Sequence, residues 1–294
     1  MIELFKVFAF LKRNSKLLSH DDYRAGHVGF HCCNSRRLKN IRGYLVNIWA
    51  NVGLASKIGA DYDKIIIDEP SGFLNLWDGF PEVYFDDASS WSRAATAEPN
   101  RATETGLSID PDWTLADAPL LFDPVNSSLT EFKSNHLQMN ETVVISVDRP
   151  ERKITKIIQF FKKRPMSDDI EFRQMVSQNY VTKLAQIDGL KGLVLNFKDP
   201  DIDSAIRDFY PDTAWHFSEQ GQTERFQFAS LWDGVIEMYF DNIGGFKEGR
   251  IHSAINQELL SLEKNLFSSV WYVEVDENVI IIPNRNPAPA FYHR

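Results

Sequence analysis

The dozen residues LWDGFPEVYFDD at 76–87 return as LWDGVIEMYFDN at 231–242, 155 positions later. Identity runs through LWDG, the Glu and the closing YFD, which chance does not produce in a chain of 294 residues. An internal repeat constrains the fold more than any local signal, because each copy must build the same unit. The rest of the chain aligns on it. KVFAFLKR (6–13) pairs with KIIQFFKK (156–163), and RGYLVN (42–47) with KGLVLN (191–196). Between them Tyr23-Arg24 falls against Phe172-Arg173, and His31 against Tyr180, without a gap. The offsets drift only between elements, where turns absorb insertions.

Each half reads as βαββαβ. The aromatic and β-branched runs FKVFAFLKR and ITKIIQFFKKR are strands. The stretches after them open with Ser followed by acids, a helix start in which a hydroxyl caps free N–H groups and carboxylates meet the positive end. Gly43 and Gly189 follow these helices, and another strand comes next. In VIEMYF, Val235, Glu237 and Tyr239 occupy one strand face, with Ile236, Met238 and Phe240 on the other. A second helix follows, clear in IHSAINQELLSLEKNLF and interrupted by Pro99 in SSWSRAATAEPNRATETG, and ETVVISV and ENVIII close the halves. The predicted class is α+β: two ferredoxin-like βαββαβ repeats packed sheet to sheet. SVDRPERK (146–153) marks the boundary, giving repeats at 1–148 and 149–294. Three long connections, 48–72, 106–136 and 197–224, are expected to cover a site or add a partner surface.

Composition narrows the partners. A net charge of −9 repels phosphate backbones and anionic lipid, so neither nucleic acid nor membrane is expected. No apolar run approaches the roughly 20 residues of a bilayer span. MIELFKVFAFLKR places its basic residues after the apolar run and reads as a strand, not a secretion signal. The two cysteines, Cys32 and Cys33, are adjacent and cannot found a disulfide framework, so a reducing cytoplasm is the expected compartment.

A Tyr/Phe-Arg helix followed by His, then a strand reading DG-x-x-E-x-x-F-D, resembles the EthD family of the dimeric α/β-barrel superfamily. The matching residues are Tyr23, Arg24 and His31 with Asp78, Gly79, Glu82, Phe85 and Asp86, and in the second half Phe172, Arg173 and Tyr180 with Asp233, Gly234, Glu237, Phe240 and Asp241. Members are usually near 100 residues and pair into a barrel. The resemblance therefore implies that one chain holds the whole barrel, with further homodimerisation left open. This chain departs from the pattern in HCC after the first helix and in Tyr180, which replaces the second His.

The resemblance implies a cofactor-independent enzyme acting on an aromatic or polyketide-like molecule, with lyases (decarboxylases, dehydratases) and monooxygenases both among relatives. A lyase fits the proton-transfer groups best. A monooxygenase, cofactor-free or with haem on a His, is the alternative, and a non-catalytic binder of an apolar metabolite is a third reading. No phosphate loop, nucleophile elbow or zinc-type cluster is present, so neither cofactor nor metal is expected. His31 is the candidate acid/base, expected to point toward the barrel mouth. His27, one turn earlier, would relay or orient the proton, and Tyr180 would offer a hydrogen bond across the pseudo-twofold. The competing reading makes His31 a helix-end residue bonded to backbone and His27 a partly exposed one. Tyr84, Trp77, Tyr239, Trp232 and His216 are the candidate lining of an apolar pocket, or else core. Cys32 and Cys33 read as buried filler rather than nucleophiles. Asp78 and Asp233 are expected to form local turns with the following Gly. Glu82 and Glu237 either face solvent or turn inward to a base such as Arg24 or Arg173.

Overall fold

The computed structural model describes residues 4–36, 38, 40–95, 118–125, 131–165 and 167–283. Eight strands close a barrel: β1 (Phe5–Leu11), β2 (Gly43–Trp49), β3 (Gly79–Phe85), β4 (Ser134–Ile145), β5 (Thr155–Lys163), β6 (Leu190–Lys198), β7 (Gly234–Phe240) and β8 (Phe267–Ile281). Their order round the barrel is β1-β3-β2-β8-β5-β7-β6-β4, every pair antiparallel. Within each half the order is the same: fourth strand, first, third, second.

Two long strands join the halves. β8 pairs with β5 as far as Val275 and then with β2, and β4 pairs with β1 as far as Met139 and then with β6. The two sheets therefore meet edge to edge and close, rather than only packing face to face. β8 begins at Phe267, ten residues ahead of ENVIII, because FSSVWYVEV already alternates and has a neighbour in β5 to pair with. The helix before it runs only Asn256–Leu266.

Alternation along the strands sorts the chain into an inside and an outside. Phe8 and Phe10 of β1 and Phe160 of β5 point into the barrel with Phe80, Trp232 and Trp271, while Val7 and Leu11 face outward under helices. Eight strands leave an interior just wide enough for side chains to fill. Trp77 and Trp232 join this interior packing, both against Phe10 and Phe228, so they are core residues and not pocket walls.

The helices lie on the outer surface: α1 (His20–Gly26), α2 (Ala88–Ala95), α3 (Asp169–Met175), α4 (Glu219–Ala229) and α5 (Asn256–Leu266). α1 starts as expected, Ser19 and Asp22 forming a capping box. In α3 the cap is Asp168, whose carboxylate accepts from Ile170 and Glu171, so the acid and not the preceding Ser does the work. The repeated DG pair differs from expectation too. Asp78 reaches back to accept the Arg13 N–H at 2.9 Å, and Asp233 accepts the Lys163 N–H at 2.8 Å, each tying the third strand of a half to the end of its first. Gly79 at φ +152° is required, since a Cβ there would meet the Asn47 carbonyl oxygen at 2.2 Å.

The long connections cross over. Leu54, Ile58, Tyr62 and Ile65, from the first half, pack into the outer core of the second, where Tyr62 donates to the Tyr272 carbonyl at 3.0 Å. Ala205, Ile206, Tyr210 and Ala214, from the second half, pack into the outer core of the first, where Trp91 donates to the Ala205 carbonyl at 3.1 Å. Each half thus lends the other a strap. Most of the 106–136 connection, and the α2 continuation through Pro99, lie outside the described residues. Among the described residues, no helix is long and apolar enough to cross a membrane.

Candidate active site

Tyr23, His27 and His31 descend one face of the first helical segment. α1 gives way at His27–His31 to a π-helical turn, in which the Cys32 N–H reaches back five residues to the His27 carbonyl. The second half has a π-turn at the matching place, Val176–Tyr180, so the widened turn belongs to the repeated unit. Such turns recur at functional sites because they re-aim a side chain within a helix.

The first-half turn aims its imidazoles at the outer face of β1–β4, not at the barrel mouth. His27 Nδ1 lies 3.1 Å from Tyr23 Oη, and His31 Nε2 lies 3.0 Å from Ser35 Oγ. The two imidazole centroids are 5.3 Å apart, and Phe122 sets its ring against both, at 5.5 and 5.2 Å. Both histidines are buried, His27 at 1% exposure and His31 at 8%, so His27 is not the partly exposed residue of the competing reading. Burial, with His31 beside it, holds His27 well below the ordinary imidazole value. Burial raises the Tyr23 and Tyr44 phenols, so both remain protonated. Cys32 packs under this layer with its Sγ 3.5 Å from Tyr44 Oη, while Cys33 is exposed. His27 Nε2 is buried and has no hydrogen-bond partner among the described residues, and the same holds for His136 Nδ1 and His216 Nδ1.

From Phe122 the ring contacts continue through Phe132 to Tyr210, which stacks on His216 at 3.8 Å. His216 Nε2 is 3.2 Å from Ser134 Oγ. His136, on β4, stacks on Phe209 at 4.6 Å. Burial pushes His216 down to about 3, with Arg225 adding to it, and burial with His216 and Arg225 does the same to His136. The layer is therefore lined by imidazoles and aromatic rings, with burial favouring the neutral form of His27, His136 and His216, and the strap from the second half supplies part of it.

The matching layer of the second half carries different chemistry. Tyr180 bonds Glu263 and accepts from Gln159 Nε2 at 2.6 Å, and Glu263 meets Arg250 at 2.7 Å. Arg250 also donates to Tyr272 and Asn256. These side chains are fully buried or nearly so and fill the space with an ionic network. Tyr180 and His31 sit at equivalent positions on opposite outer faces of the barrel, in separate cores, and are not brought together.

Tyr84 and Tyr239 lie inside the barrel, in a network with the repeat's own symmetry. The Lys6 ammonium meets Glu82, Glu141 and Glu237 at 2.9, 2.8 and 2.7 Å, and Lys156 meets Glu82, Glu237 and Glu277 at 2.5, 2.8 and 3.0 Å. Tyr84 donates to Glu82 and Tyr239 to Glu237 and Glu277. Asn47 and Asn196 donate to the same two glutamates at 2.7 and 2.8 Å. Burial opposes the charge on Lys6, but the surrounding glutamates outweigh it and raise the ammonium above its ordinary value. Burial likewise opposes ionisation of Glu82, and Lys156 and Lys6 overcome it and lower the carboxyl. Glu82 and Glu237 thus turn inward as one expectation had it, but to Lys6 and Lys156. Arg24 pairs with Asp276 instead, and Arg173 with Asp169.

Of the residues singled out from sequence, the layer gathers His27, His31 and His216. Tyr23 entered only as part of a family motif, and Phe122, Tyr210 and His136 gave no signal, since each arrives from a distant connection or from a strand flank.

No family model and no curated protein matches the chain. Among solved structures it is similar to a putative monooxygenase from Fusobacterium nucleatum subsp. nucleatum ATCC 25586, at 10% identity over 96% of this chain and 94% of that one, with a TM-score of 0.51. A putative monooxygenase from Lactobacillus acidophilus NCFM (8%, 95% and 96%, TM-score 0.46) and an anthrone oxidase-like protein (9%, 98% and 98%, TM-score 0.47) are also similar. At such identity the first likeness is one of fold alone: a mixed α+β chain whose eight antiparallel strands close into one barrel with helices outside it.

Proposed function

We propose that this chain is a cofactor-independent enzyme that begins by taking a proton from a flat phenolic or polyketide-like molecule, with His27 as the base. The observation that carries the reading is the orphaned, buried His27 Nε2 in a layer of aromatic rings. In the tautomer that donates Nδ1–H to Tyr23 Oη, 3.1 Å away, His27 presents a lone pair at Nε2. Burial disfavours an isolated imidazolium, so the proton moves when the anion formed lies against the ring and compensates it. Ser35 holds the second imidazole, that of His31, beside it.

Two fates await that anion. The monooxygenase fate passes its electrons to O2, which partitions into apolar surroundings of this kind, and the fold likeness to a protein described as a putative monooxygenase agrees with it. In the lyase fate, decarboxylation or dehydration, the His27 imidazolium returns its proton to the carbon that loses CO2 or to the leaving hydroxyl, and Tyr23 Oη, 3.1 Å away, orients the ring. Oxygen uptake and CO2 release, measured side by side on a panel of polycyclic phenols and aromatic polyketide acids, separate the fates. Oxygen uptake lost in His27→Ala selects the first and CO2 release lost in that variant the second. Tight binding of a phenol with neither signal would make the protein a carrier and reject the enzyme reading.

The same reading takes 1–148 and 149–294 as two ferredoxin-like repeats related to the EthD family, the first keeping a reactive layer and the second filling its own with Arg250, Glu263 and Tyr180. The adjacent free thiols of Cys32 and Cys33 suit a reducing cytoplasm.

A further inference from the structure

The aromatic layer runs on past His27. Ring contacts lead from His27 through Phe122, Phe132 and Tyr210 to His136 on β4. β4 pairs with β1 so that Ser134 lies opposite Leu11 and His136 opposite Ala9, on the outer face of the barrel. Ala9 is the smallest residue of its row, Phe5, Val7, Ala9 and Leu11. It keeps 6% exposure, His136 4% and His31 8%, which marks water-sized space beside each. The polar neighbours of His136 are spent on one another. Trp91 donates to the Ala205 carbonyl at 3.1 Å, and Ser134 Oγ lies 3.2 Å from His216 Nε2 and 3.4 Å from Tyr210 Oη. What holds His136 is ring contact, with Phe209 stacked at 4.6 Å and Trp91 at 6.0 Å, and this fixes the imidazole without engaging its nitrogens. Its Nδ1 stays buried and without a hydrogen-bond partner among the described residues.

We propose that His136 is a specificity-determining residue of this layer, accepting a hydrogen bond from a second hydroxyl at the end of the substrate remote from His27. The substrate is then a fused polycyclic phenol with a hydroxyl at each end, and not a single-ring phenol. This rests on the proton-transfer reading of the same layer and adds the group that reads the far end. A buried acceptor with no partner is costly, so a ligand that brings a donor gains what the free protein lacks. Burial, with His216 and Arg225 adding to it, lowers His136 to about 3, so the ring is neutral and keeps a lone pair. The Arg225 guanidinium nearby disfavours a cationic donor in the same place. An uncharged donor is left, and a phenolic hydroxyl is the one carried by the flat aromatic molecules that walls of Phe, Tyr and Trp accept.

Calorimetric titration of the full chain tests this in two series: naphthalene, naphthol and the naphthalenediol hydroxylated at opposite ends, then anthraquinone and its mono- and dihydroxy derivatives of the same pattern. In at least one series the diol should bind wild type about five- to tenfold more tightly than the mono-ol, the worth of one hydrogen bond. His136→Phe, which keeps a ring against Phe209, should remove that gain and leave the affinity for the hydroxyl-free parent unchanged. His136→Asn, which keeps an acceptor, should retain part of it. Adding His136→Phe to His27→Ala should still weaken the diol, so the subsite is read without proton transfer. Failure of His27 as the base therefore leaves this result standing, and the two are told apart. Equal affinity for diol and mono-ol in both series, or no binding by either diol, overturns the proposal. So does a gain that His136→Phe leaves in place, or a loss that the hydroxyl-free parent shares.

Discussion

Replacing Lys6 with Met would strike the centre of the barrel. Four carboxylates (Glu82, Glu141, Glu237, Glu277) share three cations there, Lys6, Lys156 and Arg149. Methionine keeps much of the volume and removes one charge, leaving four carboxylates with two cations. Lys156 still reaches Glu82 and Glu237. Removing one partner of a buried ionic group costs about 3–5 kcal/mol. With an unfolding entropy of about 2.1 cal/mol/K per residue, roughly 0.6 kcal/mol/K for this chain, that is a fall in Tm of about 5–8 °C. The penalty depends on pH. Glu82 is depressed in the native protein, so its contribution is present above the unfolded carboxyl value of about 4.3 and is lost as pH falls through the native value. In Lys6→Met the carboxylates are less depressed and one can take a proton, so the gap from wild type should narrow between pH 8 and pH 5. Urea unfolding and calorimetry at both pH values check this. A loss below about 1 kcal/mol, the level of an exposed pair, would refute the claim that the network is buried and coupled. So would a loss that does not change with pH.

Arg250→Met should destabilise by about 3–5 kcal/mol because Glu263 loses its buried cation, and adding Glu263→Gln should recover part of it in urea unfolding. Arg225→Ala should loosen the second-half strap, since one guanidinium binds the Ile202 carbonyl and Asp203 at its start and the His216 carbonyl at its end. Limited proteolysis should then cut first within 202–217, and an unchanged cleavage pattern would count against the strap. Gly79→Ala should cost about 1–3 kcal/mol or more from strain at positive φ, read as a lower Tm, whereas Gly29→Ala, with open space around it, should be tolerated.

Much of the barrel was legible because alternation is a local property. Glu237 and Tyr239 share the inward face that their spacing gives them, and the repeat carried the same reading to Glu82 and Tyr84. What local pattern cannot supply is the partner. Lys6 and Lys156 sit in strands whose aromatic runs announce core, and nothing nearby shows that their ammonium groups meet glutamates 74 to 231 positions away. The straps were visible only as excess length; their exchange between halves is set by packing of Tyr62 and Tyr210 on distant surfaces. In the candidate site, helical spacing placed His27 and His31 on one face, but the π-turn that aims them outward and the arrival of Phe122 are tertiary facts.

Proton transfer by His27 is tested most directly by exchange. The panel of polycyclic phenols bearing acidic carbon-bound hydrogen would be incubated in D2O with wild type, His27→Ala and Tyr180→Phe, and deuterium incorporation followed by NMR. The account predicts exchange by wild type, a drop of about 10²- to 10⁴-fold in His27→Ala, the usual range for loss of a general base, and little change in Tyr180→Phe. Exchange that survives in His27→Ala, or that disappears with Tyr180→Phe alone, would contradict it.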